Sequence, residues 1–123
     1  MITIGAIGPG DWRAVAALNN AATPHVNALV VAQMRRLGDE ARLALRATAD
    51  GEIAGFVLAL APGADYASPN YRWFAARYRD FLYVDRIAVA ARWRGRGIAR
   101  RLYEAVFAAA GTAPVCCEVN LRP

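Results

Sequence analysis

The chain has 123 residues, 57% of them hydrophobic and 20% charged, and a formal net charge of +5. That balance supports one domain over residues 1–123 with a genuine core, and it excludes wholesale disorder. Apolar runs such as 53–61 are too short to cross a bilayer, and no signal-peptide pattern opens the chain, so a cytoplasmic protein is expected.

Ile2, Ile4 and Ile7 alternate like a first strand that ends at Gly8-Pro9-Gly10. Asp11 then reads as the N-cap of a helix with Trp12, Val15, Ala16 and Leu18 inward. A second helix is expected over about Val26 to Leu37, with Thr23-Pro24 as its start signal or the bend before it. Residues 42–48 and 52–61 form a hairpin around Asp50-Gly51. An aromatic-rich segment, 64–80, holds a short helix from Pro69 to Arg79 capped by Ser68. Phe81–Val89 is the third long strand, 97–110 a helix with Ile98, Leu102, Ala105, Val106 and Ala109 inward, and Val115–Val119 a last strand. Cys116 and Cys117 point to opposite faces of that strand, which disfavours a disulfide; two reduced thiols in the core are expected. With one His and no CxxC, no metal site is expected.

The chemistry concentrates between strand 81–89 and the helix that follows. Every basic residue is Arg, which reads as a genome-wide bias, so position matters more than number. Arg92, Arg94, Arg96, Arg100 and Arg101 fall within ten residues. Gly95 and Gly97 open the helix, where the first backbone N–H groups lack intrahelical partners and the dipole is positive. Such a turn suits a diphosphate. Two other readings stand beside it: a tight turn whose arginines face water, and a nucleic-acid contact of RG type. The second is disfavoured because only two RG dipeptides occur and they abut a well-patterned helix. Walker A and dinucleotide fingerprints are both absent.

Ile87-Ala88-Val89 followed by Arg92-Trp93-Arg94-Gly95-Arg96-Gly97-Ile98-Ala99 resembles motif A of the GNAT (GCN5-related N-acetyltransferase) superfamily. Its core is Gln or Arg, two residues, Gly, one residue, then Gly or Ala; Arg92, Gly95 and Gly97 match. The stretches GADYASPNYRWFAARY, FLYVDRIAV and CEVN are similar to a bacterial branch of predicted acyltransferases. The resemblance spans essentially the whole chain. It implies an α/β fold: a mixed, mainly antiparallel sheet flanked by helices on both faces, with one parallel pair at the cofactor cleft.

It also implies a chemistry. Acetyl-CoA would set its diphosphate on the backbone amides from Arg94 to Ala99, with Arg92, Arg94 and Arg96 around it. The pantetheine arm would run along Ile87, Ala88 and Val89, and the N–H of Val89 would polarise the thioester carbonyl. A primary amine would attack directly, with no covalent enzyme intermediate.

Asp85 shares the strand parity of Ile87 and Val89 and lies near the family's carboxylate base. A general base, an ion pair with Arg86 or another Arg, and a solvated edge position all remain open for it. Tyr66, Tyr71, Trp73 and Tyr83 either shape an acceptor pocket or pack a lid on the sheet. His25 borders the implied acceptor site or is a surface or cap residue; Asn120 contacts cofactor or ends a strand. A Cys nucleophile is disfavoured for want of a His partner. The family continues with a further helix, which often supplies a Tyr general acid, and two more strands, whereas this sequence stops at Pro123. The expectation is therefore a GNAT-like domain incomplete after its fifth core strand, acting on a small-molecule or peptide amine, with a second copy as a candidate to complete the sheet. The rival reading is an acyl-CoA-binding or assembly module without turnover.

Overall fold

The computed structural model describes residues 1–22, 26 and 28–117. Along the chain run β1 (Ile2–Ala6), α1 (Trp12–Ala21), α2 (Val31–Glu40), β2 (Leu43–Ala49), β3 (Glu52–Leu60), α3 (Pro69–Arg77), β4 (Leu82–Val89), α4 (Ile98–Ala110) and β5 (Val115–Cys117). The strands form one sheet in the order β1-β2-β3-β4-β5, antiparallel throughout except for the parallel pair β4–β5. This is the α/β architecture expected from the sequence.

Helices cover both faces. On one, Trp12, Val15 and Ala16 of α1, Met34 and Leu37 of α2 and Tyr71 of α3 pack on Phe56, Leu58, Leu60 and Tyr83. On the other, Ile98, Leu102 and Val106 of α4 pack on Val57, Leu82 and Val84. Ala109, expected inward, is exposed. Asn19, a turn beyond Val15 and Ala16, is fully buried, while Leu18, expected inward, is half-buried against the same core. The four positions 12, 15, 16 and 19 are the natural stripe of a 3.6-residue helix, and a polar side chain completes it.

Several boundaries moved for identifiable reasons. Asp11 stands at the N-cap of α1 without capping it; its Oδ2 accepts from the Gly8 amide at 2.7 Å and from Arg46 Nε at 2.9 Å. Helix α2 starts later than expected, where the Gln33 side chain accepts from the Val30 amide at 3.0 Å, and it runs through Gly38 to Glu40. Gly38 is where α1 reaches α2: a Cβ there would sit 2.0 Å from the Trp12 ring. Thr23-Pro24 and His25 lie outside the described residues, as does the sequence from 118 onward, including Asn120. Ser68 caps α3 as expected, accepting from the Tyr71 amide at 3.4 Å.

Strand β4 departs from simple alternation at one residue. Arg86 pairs with Leu58 and Val84 with Ala59, which leaves Asp85 as an extra residue, a β-bulge. The bulge shifts parity. Val84, Ile87 and Val89 share the α4 face, while Tyr83 and Ala88 pack on the opposite side. Asp85 therefore does not share the face of Ile87 and Val89; its carboxylate turns toward the α1–α2 side, where it meets Tyr66 and Arg86.

Candidate active site

Beyond the bulge, β4 serves two clefts. Among the described residues, β5 pairs with β4 only from Leu82 to Val84, so the β5-facing edge of Ile87–Val89 continues past the last described pair. The Ala90 amide donates to the Ala54 carbonyl at 2.8 Å. Successive amides of an extended chain point to opposite edges, so the Val89 N–H is directed away from β3.

The first cleft, about 280 Å3, is lined by Val89, Trp93, Arg94, Gly95, Gly97, Ile98, Ala99 and Arg100. Gly95 and Gly97 have φ of +77° and +79°, a region that side chains with a Cβ rarely adopt, and a Cβ on either would meet nothing within 4 Å. The glycines answer backbone geometry, and the space above them is open. The first intrahelical bond of α4 runs from the Arg101 amide to the Gly97 carbonyl at 3.1 Å, so the amides of Ile98, Ala99 and Arg100 are the unclaimed first donors of a 13-residue helix. With Arg94 and Arg100 on the walls, this donor set fits a diphosphate.

The other arginines of the turn have structural partners. Arg92 forms an ion pair with Glu52, the first residue of β3, and Trp93 Nε1 donates to the same oxygen at 2.5 Å. The indole hydrogen bond, helped by Arg92, holds the Glu52 carboxyl below its ordinary range against an opposing desolvation. Arg96 lies over the Trp93 ring at 5.1 Å. Trp93 thus fastens the turn to the start of β3, a role the sequence pattern does not signal.

The second cleft, about 490 Å3, lies on the α1–α2 face, with Leu29, Gln33, Arg36, Leu37, Glu40, Asp65, Tyr66, Ala67 and Arg86 around it. Glu40 Oε1 accepts from the Asp65 amide at 2.6 Å, tying the end of α2 to the loop before α3. Arg86 and Val89, three residues apart on β4, border the two clefts, a separation of about 10 Å along a strand.

Beneath the second cleft runs a polar network. Asp85 and Arg86 are paired at 2.9 Å with side chains only 6% and 5% exposed. The Tyr66 hydroxyl donates to Asp85 Oδ1 at 2.7 Å, and Arg86 Nη1 donates to Asn19 Oδ1 at 3.1 Å. Burial and the Asp85 charge push the Tyr66 hydroxyl pKa up, with Arg86 acting in the opposite direction. Asn19 and Arg86, both missed as site residues from the sequence, are the members whose burial alone marks them: they are the buried polar or charged residues of the described chain.

The expected acceptor aromatics separate. Tyr66 lines the second cleft. Tyr71 and Tyr83 are each 2% exposed and belong to the core, with ring centroids 5.9 Å apart; so deeply buried, they offer a substrate almost no surface. Tyr71 is held at both ends, its hydroxyl donating to the Ala61 carbonyl at 2.6 Å and accepting from the Ala64 amide at 3.0 Å. Trp73 is half exposed under Arg77 and lines a different hollow with Asn70, Phe74 and Cys117. The two cysteines are free, Cys116 half-buried and Cys117 exposed, so the core position expected for both holds for neither in full. Among the described residues no group of three or more His, Cys, Asp or Glu could hold a metal, and no helix is long and apolar enough to cross a membrane.

The family model of the Acetyltransferase (GNAT) family matches residues 12–121. No curated protein matches the chain. Among solved structures, Ard1 from Thermoplasma volcanium is similar with a TM-score of 0.70 and 18% identity over 89% of this chain. The match takes in 63% of Ard1, so the chain spans less than two thirds of that protein's length. The ribosomal-protein-S18-alanine N-acetyltransferase of Escherichia coli gives a TM-score of 0.73 and 18% identity over 98% of this chain and 68% of its own. An aminoglycoside N-acetyltransferase solved in complex with CoA gives 0.72 and 19% over 98% and 78%. At these identities the likeness establishes a shared fold.

Proposed function

This chain belongs to the GNAT acetyltransferase family, and from that premise we propose that it moves an acetyl group from acetyl-CoA to a primary amine of a small molecule or peptide. One observation carries the reading: an open cradle at Gly95 and Gly97, at the start of α4, adjoins the edge of Ile87–Val89 on the strand that also borders a second, polar cleft.

The amides from Gly95 to Ala99, with Arg94 and Arg96 supplying charge, would hold the diphosphate; the Arg94 amide, expected to join them, already donates to the Ala91 carbonyl at 3.3 Å. Arg92 would contribute from its anchored position at Glu52. Ile87, Ala88 and Val89 would offer backbone hydrogen bonds to the pantetheine, and the Val89 N–H would polarise the thioester carbonyl. When bound, the donor supplies an activated acyl group; the protein supplies position, polarisation and a route for a proton. Asp85 is the base candidate, and the Arg86-bordered cleft the place for the amine.

A second reading, an acyl-CoA-binding module without turnover, is favoured by one observation: both oxygens of Asp85 are already engaged, by Tyr66 and Arg86.

Two measurements decide. Acetyl-CoA titrated into the protein should raise its unfolding temperature; at a hundredfold excess over Kd the gain is about 2.7 kcal/mol. No shift at millimolar donor removes the donor site. Thiol release in the presence of a panel of amines then reports transfer, and binding without release on any amine selects the module.

A further inference from the structure

A base sealed beneath the cleft needs an intermediary, and the structure places one beside it. Asp85 is 6% exposed at its side chain and is not among the residues bordering the second cleft, whereas Tyr66, whose hydroxyl donates to Asp85 Oδ1 at 2.7 Å, is. We propose that Tyr66 is a catalytic residue: its phenol oxygen takes the proton of the attacking amine while its own proton passes to Asp85. The proposal rests on the acetyl-transfer reading above.

A phenol has one proton and two lone pairs. The proton is committed to Asp85 and Arg86 also hydrogen-bonds the phenol oxygen, so toward the cleft Tyr66 keeps one lone pair and can only accept, and an amine N–H is the donor it suits. Burial and the carboxylate keep the hydroxyl protonated across the working range, so the group stays a neutral acceptor with a proton to hand on. Its ring is fixed edge-on against Tyr71, centroids 5.8 Å apart.

The carboxylate is fixed as well. Arg86 holds Oδ2, Asn19 accepts from Arg86, and Asn19 Nδ2 donates to Asn20 Oδ1 at 3.1 Å. Asn20 in turn clamps the backbone of Leu29 on the far wall of the cleft, donating to its carbonyl at 3.0 Å and accepting from its amide at 2.9 Å. A single chain of hydrogen bonds therefore passes under the cleft from Leu29 to Tyr66, with Arg86 as a positioning residue in its middle.

The step balances. The amine lone pair forms the C–N bond at the thioester carbonyl carbon, and the C–S bond breaks with its electrons on sulfur. The N–H proton goes to Tyr66 Oη and the phenol proton to Asp85 Oδ1. The thiolate takes a proton from solvent, and Asp85 returns its proton through Tyr66 to solvent.

Tyr66→Phe keeps the ring and removes only the hydroxyl. With an amine that supports thiol release by the wild type, its kcat should fall about 100-fold, with the KM for acetyl-CoA little changed and the unfolding temperature lowered only by the loss of one buried hydrogen bond. The double variant Tyr66→Phe/Asp85→Asn should fall no further than Tyr66→Phe, because groups that act as one unit are not additive. Should Asp85→Asn prove too unstable to assay, the kcat-against-KM split of Tyr66→Phe decides alone. A kcat within about threefold of wild type, multiplicative losses in the double variant, or loss of stability and donor binding together overturns the relay. Absence of thiol release from the wild type with every amine overturns acetyl transfer itself, and the relay with it.

Discussion

At Val89 and at Arg86, three residues apart on one strand, the two clefts are built from different material. The proposed donor side is backbone: two glycines at positive φ and the first amides of α4, all within one short turn. The proposed acceptor side is side chain: Asn19 and Asn20 from α1, Asp85 and Arg86 from β4, and Tyr66 from the loop before α3. Each side also has its own Arg–carboxylate pair. Arg92–Glu52 stands in water at 67% and 42% exposure, and Arg86–Asp85 is sealed at 5% and 6%. The contrast teaches where stability and function are coupled. A contiguous turn can bind without holding the fold together, whereas a network drawn from three segments is part of the core it sits in.

Breaking the buried pair is the severest test of that contrast. Arg86→Met leaves Asp85 under the cleft with its charge uncompensated, and we expect about 3–5 kcal/mol of lost stability in urea unfolding. A loss under about 1 kcal/mol would mean that water reaches the pair and that the two sides are built alike after all. The donor side should fail differently. Gly95→Asp puts a carboxylate at the mouth of the anion site, and the affinity for acetyl-CoA should drop at least about 100-fold, or about 2.7 kcal/mol. The fold should survive, since a Cβ at Gly95 meets no neighbour and only the left-handed backbone is strained, by about 1–2 kcal/mol. Retained affinity would place the diphosphate elsewhere.

The same division governs what could be read from the chain. The donor turn was legible because its signals are local: a strand, two glycines two positions apart and a helix start lie within about ten residues of sequence. The Asp50-Gly51 hairpin was legible for the same reason, with both residues at the positive φ that the turn requires. The bulge at Asp85 was not. The strand around it is apolar on both faces, so alternation gives no register to break, and the parity assigned to Asp85 followed a regular strand that does not exist there. Nor could spacing show that Tyr66, 19 residues earlier, would reach Asp85, or that Asn19, 67 residues from Arg86, would complete the inner stripe of α1. Tyr71 and Tyr83 read equally as pocket residues or as rings packed on the sheet, because composition marks an aromatic cluster without saying which rings face inward. Only the packing of α3 on the sheet assigns them to the core.

The smallest expected effect concerns the exposed pair, and it separates the anchoring of the turn from its binding role. Arg92 occupies the position that matches the family motif, yet the structure ties it to Glu52 with Trp93 as a second donor. Glu52 is held below its ordinary value of 4.5 by Trp93 first and Arg92 next. A carboxylate whose folded pKa is depressed stabilises the fold fully above the unfolded value, and that contribution fades as pH falls through the lower folded value. Glu52→Gln should therefore unfold at a slightly lower temperature than wild type at pH 7, with the gap closing as both are acidified below about pH 4. A gap that widens in acid would show that Glu52 acts through something other than its charge. Because the pair is largely exposed, the loss of anchoring should also leave acetyl-CoA affinity within about threefold of wild type. A larger fall would mean that Glu52 aims Arg92 at the donor, and that the backbone cradle at Gly95 and Gly97 depends on a side chain after all.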